Sequence, residues 1–373
     1  MIEYLKSSKV VFIFTLIFTF ALSASAQTAT PTPTIQEDND VIKVDSRLVV
    51  VPVSVTNAAG QPVLGLTAKD FRVREENQNQ QIENVSDAEK VPLEIALLFD
   101  ISATTSPMFR FQQETAAQFL KDVMRPDDRA TIYTVGAKPI LLQGRDTAEK
   151  AAAIVSTIQP TKEFTAFYDS VAEAAEYLQK NAPQGRRKVI VVISDGEDTN
   201  SVRIAKAIQD GYRKLGEKVN TLDQKSLYQF TVETRNTANL KEQSRVLKTV
   251  QNADTVFYSI NPAGSSYQLN KMSVFGQSNM QKFADETGGT AFLPKFQPID
   301  LQDTMQNSVN TRKNQETLTK IFRQLANELQ AQYLVQYYSE ENFQNGRYVK
   351  LEVGLNNPQN FKVRARQGYF VKN

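Results

Sequence analysis

Three short segments of this chain carry oxygen donors of the types and spacing that hold a hard cation. Asp100-Ile101-Ser102-Ala103-Thr104 places one carboxylate and two hydroxyls at alternate positions, directly after the apolar run Leu93 to Phe99. Thr165, in Phe164-Thr165-Ala166-Phe167-Tyr168-Asp169, stands just before a helical pattern. Asp195, in Ile193-Ser194-Asp195-Gly196-Glu197-Asp198, follows the apolar run Val189 to Ile193. A hard dication takes about six oxygen ligands. Two carboxylates neutralise it, and neutral hydroxyls fill the shell without excess negative charge. A site so built stays electrophilic and accepts a carboxylate from another molecule as its last ligand.

Composition narrows the chemistry further. The 373 residues include no Cys and no His. That excludes disulfides, cysteine nucleophiles, Ser-His-Asp triads, histidine acid/base catalysis and His/Cys zinc sites. Any metal is therefore held by oxygen, which favours Mg²⁺, Mn²⁺ or Ca²⁺. A formal charge of +2, with Lys and Arg scattered, argues against a nucleic-acid partner. Forty-one per cent apolar residues describe an ordinary globular chain.

The elements that must position these donors follow from hydrophobic period. From Val91 to about Gln330 strands alternate with helices: strands at Leu93 to Phe99, Thr131 to Val135, Ile140 to Gln143, Val189 to Ile193, Val256 to Ile260 and Thr290 to Leu293. Helices fall at Phe111 to Met124, Ala148 to Ile158, Ala172 to Gln179 and Met280 to Glu286, with a last one carrying Leu318, Ile321, Phe322, Leu325 and Leu329. Repeated strand–helix units imply an α/β fold with a doubly wound, mostly parallel sheet. In such sheets ligands sit beyond the carboxyl ends of the strands, where the strand order reverses. The 61 residues from Ser194 to Asp254 exceed one crossover and predict a helical insertion, about 200–252, with apolar stripes at Val202 to Leu215 and Leu240 to Val250.

Outside this region the pattern is β. Leu48 to Val55, Asp70 to Glu75 and Gln81 to Val85 read as strands near the N-terminus. Gln332 to Tyr338, Tyr348 to Leu355 and Phe361 to Phe370 read as strands near the C-terminus, with Tyr333, Tyr337 and Tyr338 as core. Too few strands stand at either end to cover a sheet alone, so the two groups are expected to build one small β-sandwich with the α/β domain inserted between them. The resulting partition is a signal peptide (1–26), a Thr/Pro linker (27–41), an N-terminal β segment (42–90), the α/β domain (91–330) and a C-terminal β segment (331–373). Lys6 and Lys9 precede the apolar stretch Val10 to Leu22, and Ala24-Ser25-Ala26 offers a cleavage site. The stretch would reach roughly 20 Å as a helix, short of a bilayer's roughly 30 Å core. A periplasmic or secreted protein, without stable membrane insertion after cleavage, is the expectation.

The pattern Asp-x-Ser-x-Thr, a distant Thr and then Ser-Asp-Gly-Glu-Asp resembles the metal-ion-dependent adhesion site of von Willebrand factor A domains, over roughly residues 91 to 300. Thr104 stands where that family commonly has a second Ser, and Ala103 and Phe164 where it often has Gly. The resemblance implies a Rossmann-like doubly wound domain. It also implies a metal site of Asp100, Ser102, Thr104, Thr165 and Asp195, the last two directly or through water. The flanks, Pro62-Val63-Leu64-Gly65-Leu66 before Asp70-Phe71 and the closing Val363 to Phe370, are similar to an exported bacterial subgroup of A-domain-related proteins, of the Acidobacteria type.

The expected function is that of a non-enzymatic module that binds a protein ligand through the ligand's carboxylate. Two alternatives stand beside it. One is a Mg²⁺-dependent phosphoryl transfer through Asp100, against which Ser102 occupies the place of a second acid. The other is a metal-free scaffold. Glu197 and Asp198 read as solvated residues at a helix start, and Asp169 as a cap or internal partner.

Overall fold

The computed structural model describes residues 47–87, 90–102, 108–161, 163–264, 271–299, 304–358 and 360–372. The segments read as signal peptide and linker, and Thr104, lie outside these residues. The described chain begins with β1 (Arg47–Thr56), β2 (Phe71–Glu75), β3 (Gln78–Gln80) and β4 (Ile82–Asp87). Strands and helices then alternate: β5 (Leu93–Asp100), α1 (Phe109–Val123), β6 (Arg129–Val135), β7 (Pro139–Asp146), α2 (Ala148–Val155), α3 (Phe167–Asn181) and β8 (Arg187–Ile193). After these come α4 (Val202–Leu215), α5 (Gln224–Asn252), β9 (Thr255–Ile260), α6 (Lys271–Thr287), β10 (Ala291–Phe292) and α7 (Thr304–Gln330). The chain closes with β11 (Gln332–Ser339), β12 (Tyr348–Leu355), β13 (Lys362–Ala365) and β14 (Gly368–Phe370).

The central sheet has the order β10-β9-β8-β5-β6-β7, parallel except for the edge strand β7. β5 is buried along its whole length because helices cover both faces. Leu93, Ile95, Leu97 and Phe99 pack with α1, α2 and α7, while Ala96 and Leu98 pack with α3, α5 and α6. From β5 the chain builds β6 and β7 on one side, then crosses back to place β8 on the other. Strand order therefore reverses between β5 and β8. The fold is α/β and doubly wound, as the strand–helix alternation implies.

The flanking strands form two antiparallel sheets, β13-β1-β11-β4 and β14-β12-β2-β3, around one shared core. β1 pairs with β11 from Arg47↔Ser339 to Ser54↔Gln332, so strands from before and after the α/β domain lie in one sheet. Two expectations need correction, and one feature was not anticipated. The strand anticipated over Phe361 to Phe370 is two strands in different sheets, β13 on β1 and β14 on β12, with Arg366-Gln367 crossing between them. An unanticipated hairpin joins β2 to β3 through Glu76 and Asn77, both at positive φ (46° and 68°); a two-residue turn of this hand demands that conformation, and no Gly announced it. Tyr333 and Tyr337 are core, but Tyr338 falls on the opposite face of β11 and is 46% exposed.

In the long connection α4 is followed by a single 29-residue helix, α5. Asp223 caps it by accepting the Ser226 N–H at 2.7 Å, and no Gly or Pro interrupts it. Ala238, Val246, Leu247 and Val250 seat its second half on the sheet, while the expected stripe member Leu240 is exposed. Its first half pairs with α4, with Tyr212 packed edge-on to Phe230.

The sandwich core also holds a carboxylate. Glu75 is 1% exposed and accepts the hydroxyls of Tyr337 (2.7 Å), Tyr369 (2.6 Å) and Ser339 (2.8 Å). Its donors come from β11 and β14, so this one side chain ties the two sheets together. Glu75→Ala orphans three buried hydroxyls and is expected to cost about 3–5 kcal/mol in urea unfolding, with Glu75→Gln costing less; a midpoint unchanged by the alanine would refute this role.

Candidate metal centre

Asp100 is the last residue of β5, at the carboxyl rim beside the point where strand order reverses. Its side chain is buried. Oδ1 accepts the backbone N–H of Ser102 at 2.9 Å and the Ser102 hydroxyl at 2.6 Å, so the loop turns back on its own aspartate. Oδ2 accepts the hydroxyl of Ser194 at 2.5 Å. Ser194 follows β8 directly and precedes Asp195, so a single carboxylate stitches the first loop to the second. The Ser194 hydroxyl also accepts the Gly196 N–H (3.0 Å), and Asp195 Oδ1 accepts the Glu197 N–H (3.0 Å).

Thr165, also buried, is held by its backbone. Its N–H donates to the Thr199 hydroxyl (2.8 Å), and its carbonyl accepts the N–H groups of Thr199 (2.8 Å) and Asn200 (3.0 Å). Ala166 N–H reaches Gly136 O (2.7 Å), and Thr161 N–H reaches Ile101 O (2.7 Å). The Thr165 segment is thus laced to the loops after β5, β6 and β8.

Two helix starts lock this arrangement by capping each other. Asp198, from the loop before α4, accepts the Tyr168 N–H in the first turn of α3 at 3.0 Å. Asp169, in the first turn of α3, accepts the Val202 N–H that opens α4 at 2.8 Å. Ser201 links the two, accepting the Asp169 N–H (3.2 Å) and donating its hydroxyl to Asp198. Each helix N-terminus receives a carboxylate from the other, satisfying its free N–H groups and its dipole. Asp198 is therefore buried, at 6% exposure, and not the solvated residue anticipated. Glu197 is half-buried and accepts the Ser273 hydroxyl of α6.

Gly196 marks a second constraint. It has φ +76°, and a Cβ there would meet the Gly276 carbonyl oxygen at 2.6 Å. A Cβ on Gly276 would in turn meet the Asp195 carbonyl oxygen at 2.8 Å. The Asp195 loop lies backbone to backbone on α6.

The electrostatics of the two aspartates point one way. Burial pushes the Asp100 carboxyl above the usual carboxylate range, opposed by the hydrogen bonds from Ser102 and Ser194. Burial, and then the charge of Asp100, push Asp195 up to about 6. Among the described residues, no Lys or Arg forms an ion pair with either. A buried carboxylate and a half-buried one, close enough to feel its charge and without an ion-pairing cation among the described residues, fit a bound cation in charge, and the hydroxyls of Ser102 and Ser194 fit it in donor type. Among the described residues no group of three or more acidic, His or Cys side chains is gathered for a metal, so the donor set stays poor in anions.

Of the residues singled out by sequence, Asp100, Ser102 and Asp195 come together at the rim, and the backbone of Thr165 is tied to the loop that follows Asp195. Thr104 lies outside the described residues. Ser194 carried no role in the sequence reading, yet it makes the contact that joins the two aspartate loops. The signal available was its place, first residue after a buried parallel strand.

No family model and no curated protein matches this chain. Among solved structures it is similar to an aerotolerance-related membrane protein from Bacteroides fragilis, at 16% identity over 61% of this chain and 99% of that one, TM-score 0.35. It is also similar to the PilB minor pilin from Streptococcus sanguinis, at 13% identity over 64% of this chain and 62% of that one, TM-score 0.41. A third is proximal thread matrix protein 1 from the mussel byssus with a zinc-occupied MIDAS motif, at 12% identity over 69% of this chain and 50% of that one, TM-score 0.40.

Proposed function

We propose that this protein is an exported, non-enzymatic binding module whose metal centre recognises a carboxylate of a protein ligand. The observation that carries the reading is the pair Asp100, buried, and Asp195, half-buried, on adjoining loops at the sheet's reversal point, joined through Ser194 and without an ion-pairing Lys or Arg among the described residues. Asp100, Ser102, Thr104, Thr165 and Asp195 would hold Mg²⁺, or Mn²⁺ or Ca²⁺. A bound dication there supplies an electrophilic position open to an acidic side chain from outside. The chain's own part is to fix the oxygens. Asp100 is oriented by Ser102 and Ser194, and Asp195 by the Glu197 N–H and by α6 behind it.

Exposed apolar side chains lie close to these loops in the chain. Phe164 (68% exposed) adjoins Thr165, Val202 (70%) opens α4, and Val274 (54%) follows Ser273. They favour a macromolecular ligand over a small ion partner. No helix among the described residues is long and apolar enough to cross a membrane.

Asp100→Ala is expected to weaken Mn²⁺ binding by at least the ~100-fold that loss of an outer partner brings, read by titration calorimetry on the folded variant. Retained Mn²⁺ affinity would remove Asp100 from the site.

The raised carboxyls also set a pH dependence in chelator. Both keep their protons more tightly folded than unfolded. Their penalty is absent below the unfolded value near 3.8 and grows as pH rises; for Asp195 it is complete above about pH 6. Asp195 contributes roughly 3 kcal/mol of this loss. Urea unfolding between pH 4 and 7 is expected to show wild type losing stability relative to Asp195→Asn over this window, and a difference of opposite sign would defeat the account.

A further inference from the structure

At the opposite end of the central sheet, where β8 and β9 begin, the strands meet β1, β11 and the C-terminal residues across a cleft of about 360 Å³. β8 alone separates this cleft from the metal centre by roughly 20 Å, at about 3.3 Å per residue. The lining carries six cations, Arg47, Arg186, Arg187, Lys188, Arg366 and Lys372, with Asp254 as its one acid.

The compensation of these charges is uneven. Arg186 pairs with Glu94 at 2.5 Å. Arg187 is buried and donates to neutral acceptors, the carbonyls of Leu329 (2.9 Å) and Val91 (3.2 Å) and the Gln332 side chain (3.0 Å). Arg366, with 10% of its side chain exposed, places one Nη on Asp254 (3.1 Å) and the other on Val50 O (2.8 Å). Its buried Nε has no hydrogen-bond partner among the described residues. Lys372 donates to the carbonyl of Asn252 and stands 3.8 Å from the same Asp254, and Lys188 forms no ion pair among the described residues. Burial depresses the Lys188 ammonium below the usual lysine range, Asp254 opposes this, and Lys372 adds to it.

A cleft that gathers cations beyond its own acid is stabilised by an anion that enters it. Guanidinium and ammonium donors suit phosphate and carboxylate oxygens. Tyr369 and Phe370 give the same cleft an aromatic wall, and its size is that of a small-molecule site. We propose that this cleft binds a small organic anion that carries phosphate or carboxylate groups on an apolar body. The site shares no residue with the metal centre and does not depend on the function proposed there.

The test is calorimetry and thermal melting of the full chain at low ionic strength with three probes: phenyl phosphate, trimesate and inorganic phosphate. Phenyl phosphate and trimesate separate the phosphate and carboxylate sources, and inorganic phosphate lacks the apolar body. At least one organic probe is expected to bind and raise the melting temperature, with affinity about tenfold or more above that of inorganic phosphate. Lys188→Gln/Lys372→Gln is expected to weaken that binding by about tenfold or more while keeping the wild-type circular dichroism and a cooperative thermal transition, which verifies the fold. Asp100→Ala is expected to leave anion binding unchanged. Absence of heat and of a melting shift with both organic probes at millimolar concentration overturns the proposal. So does undiminished affinity in the folded double variant, and so does equal affinity for inorganic phosphate.

Discussion

A buried carboxylate with a second, half-buried one beside it is the constraint around which the carboxyl rim of the central sheet is arranged. Asp100 and Asp195 sit at the carboxyl ends of neighbouring parallel strands, and burial and mutual repulsion both oppose their ionisation. Such a pair persists only if the scaffold is stiffer than the repulsion it contains. The stiffness is visible in the Ser194–Asp100–Ser102 hydrogen bonds and in the backbone lacing of the Thr165 segment. The Gly196–Gly276 contact seats the second loop against α6.

The reciprocal capping of α3 and α4 belongs to the same design. Asp198 and Asp169 each close the N-terminus of the other's helix, with Ser201 between them. Three carboxylates of this region thus divide into kinds by environment. Asp198 is matched by N–H and O–H donors and serves structure. Asp100 accepts as many donors, from Ser102 and Ser194, but it ties two loops at the strand ends and not two helix starts, and Asp195 beside it feels its charge. Since α4 also begins the helical pair formed with the first half of α5, that pair is anchored to the rim by the caps.

Much of this was readable in the chain. The alternation of Val349, Leu351 and Val353 with Lys350, Glu352 and Gly354 and the unbroken apolar run of β5 announce a strand with one wet face and a fully buried one; β12 exposes Lys350 and Glu352, and β5 is buried throughout. Asp100 and Asp195 stand out because each follows such a run, so position along the strand stands in for position in space. What escaped depended on contacts between distant residues. Asp198 looks like any acid at a helix start until Tyr168, thirty residues earlier, is brought to it. The Glu76-Asn77 turn hid because its left-handed conformation is imposed by the pairing of β2 with β3 and not by a glycine. The division of the last strand hid for a similar reason: Val363 and Tyr369 are both apolar, and only the facing sheets decide which of them each joins.

The sandwich has one consequence for how the molecule comes into being. β1 has as its neighbours β11 and β13, which lie nearly three hundred residues further along. As the chain emerges from a ribosome or a translocation pore, N-terminus first, its opening strand exposes both hydrogen-bonding edges until almost the last residue is out. The α/β domain suffers no such delay, because β5 through β10 find their partners within the inserted segment. Maturation therefore proceeds from the middle outward, and β1, with alternate valines and bare edges, is the segment most in need of a chaperone's cover.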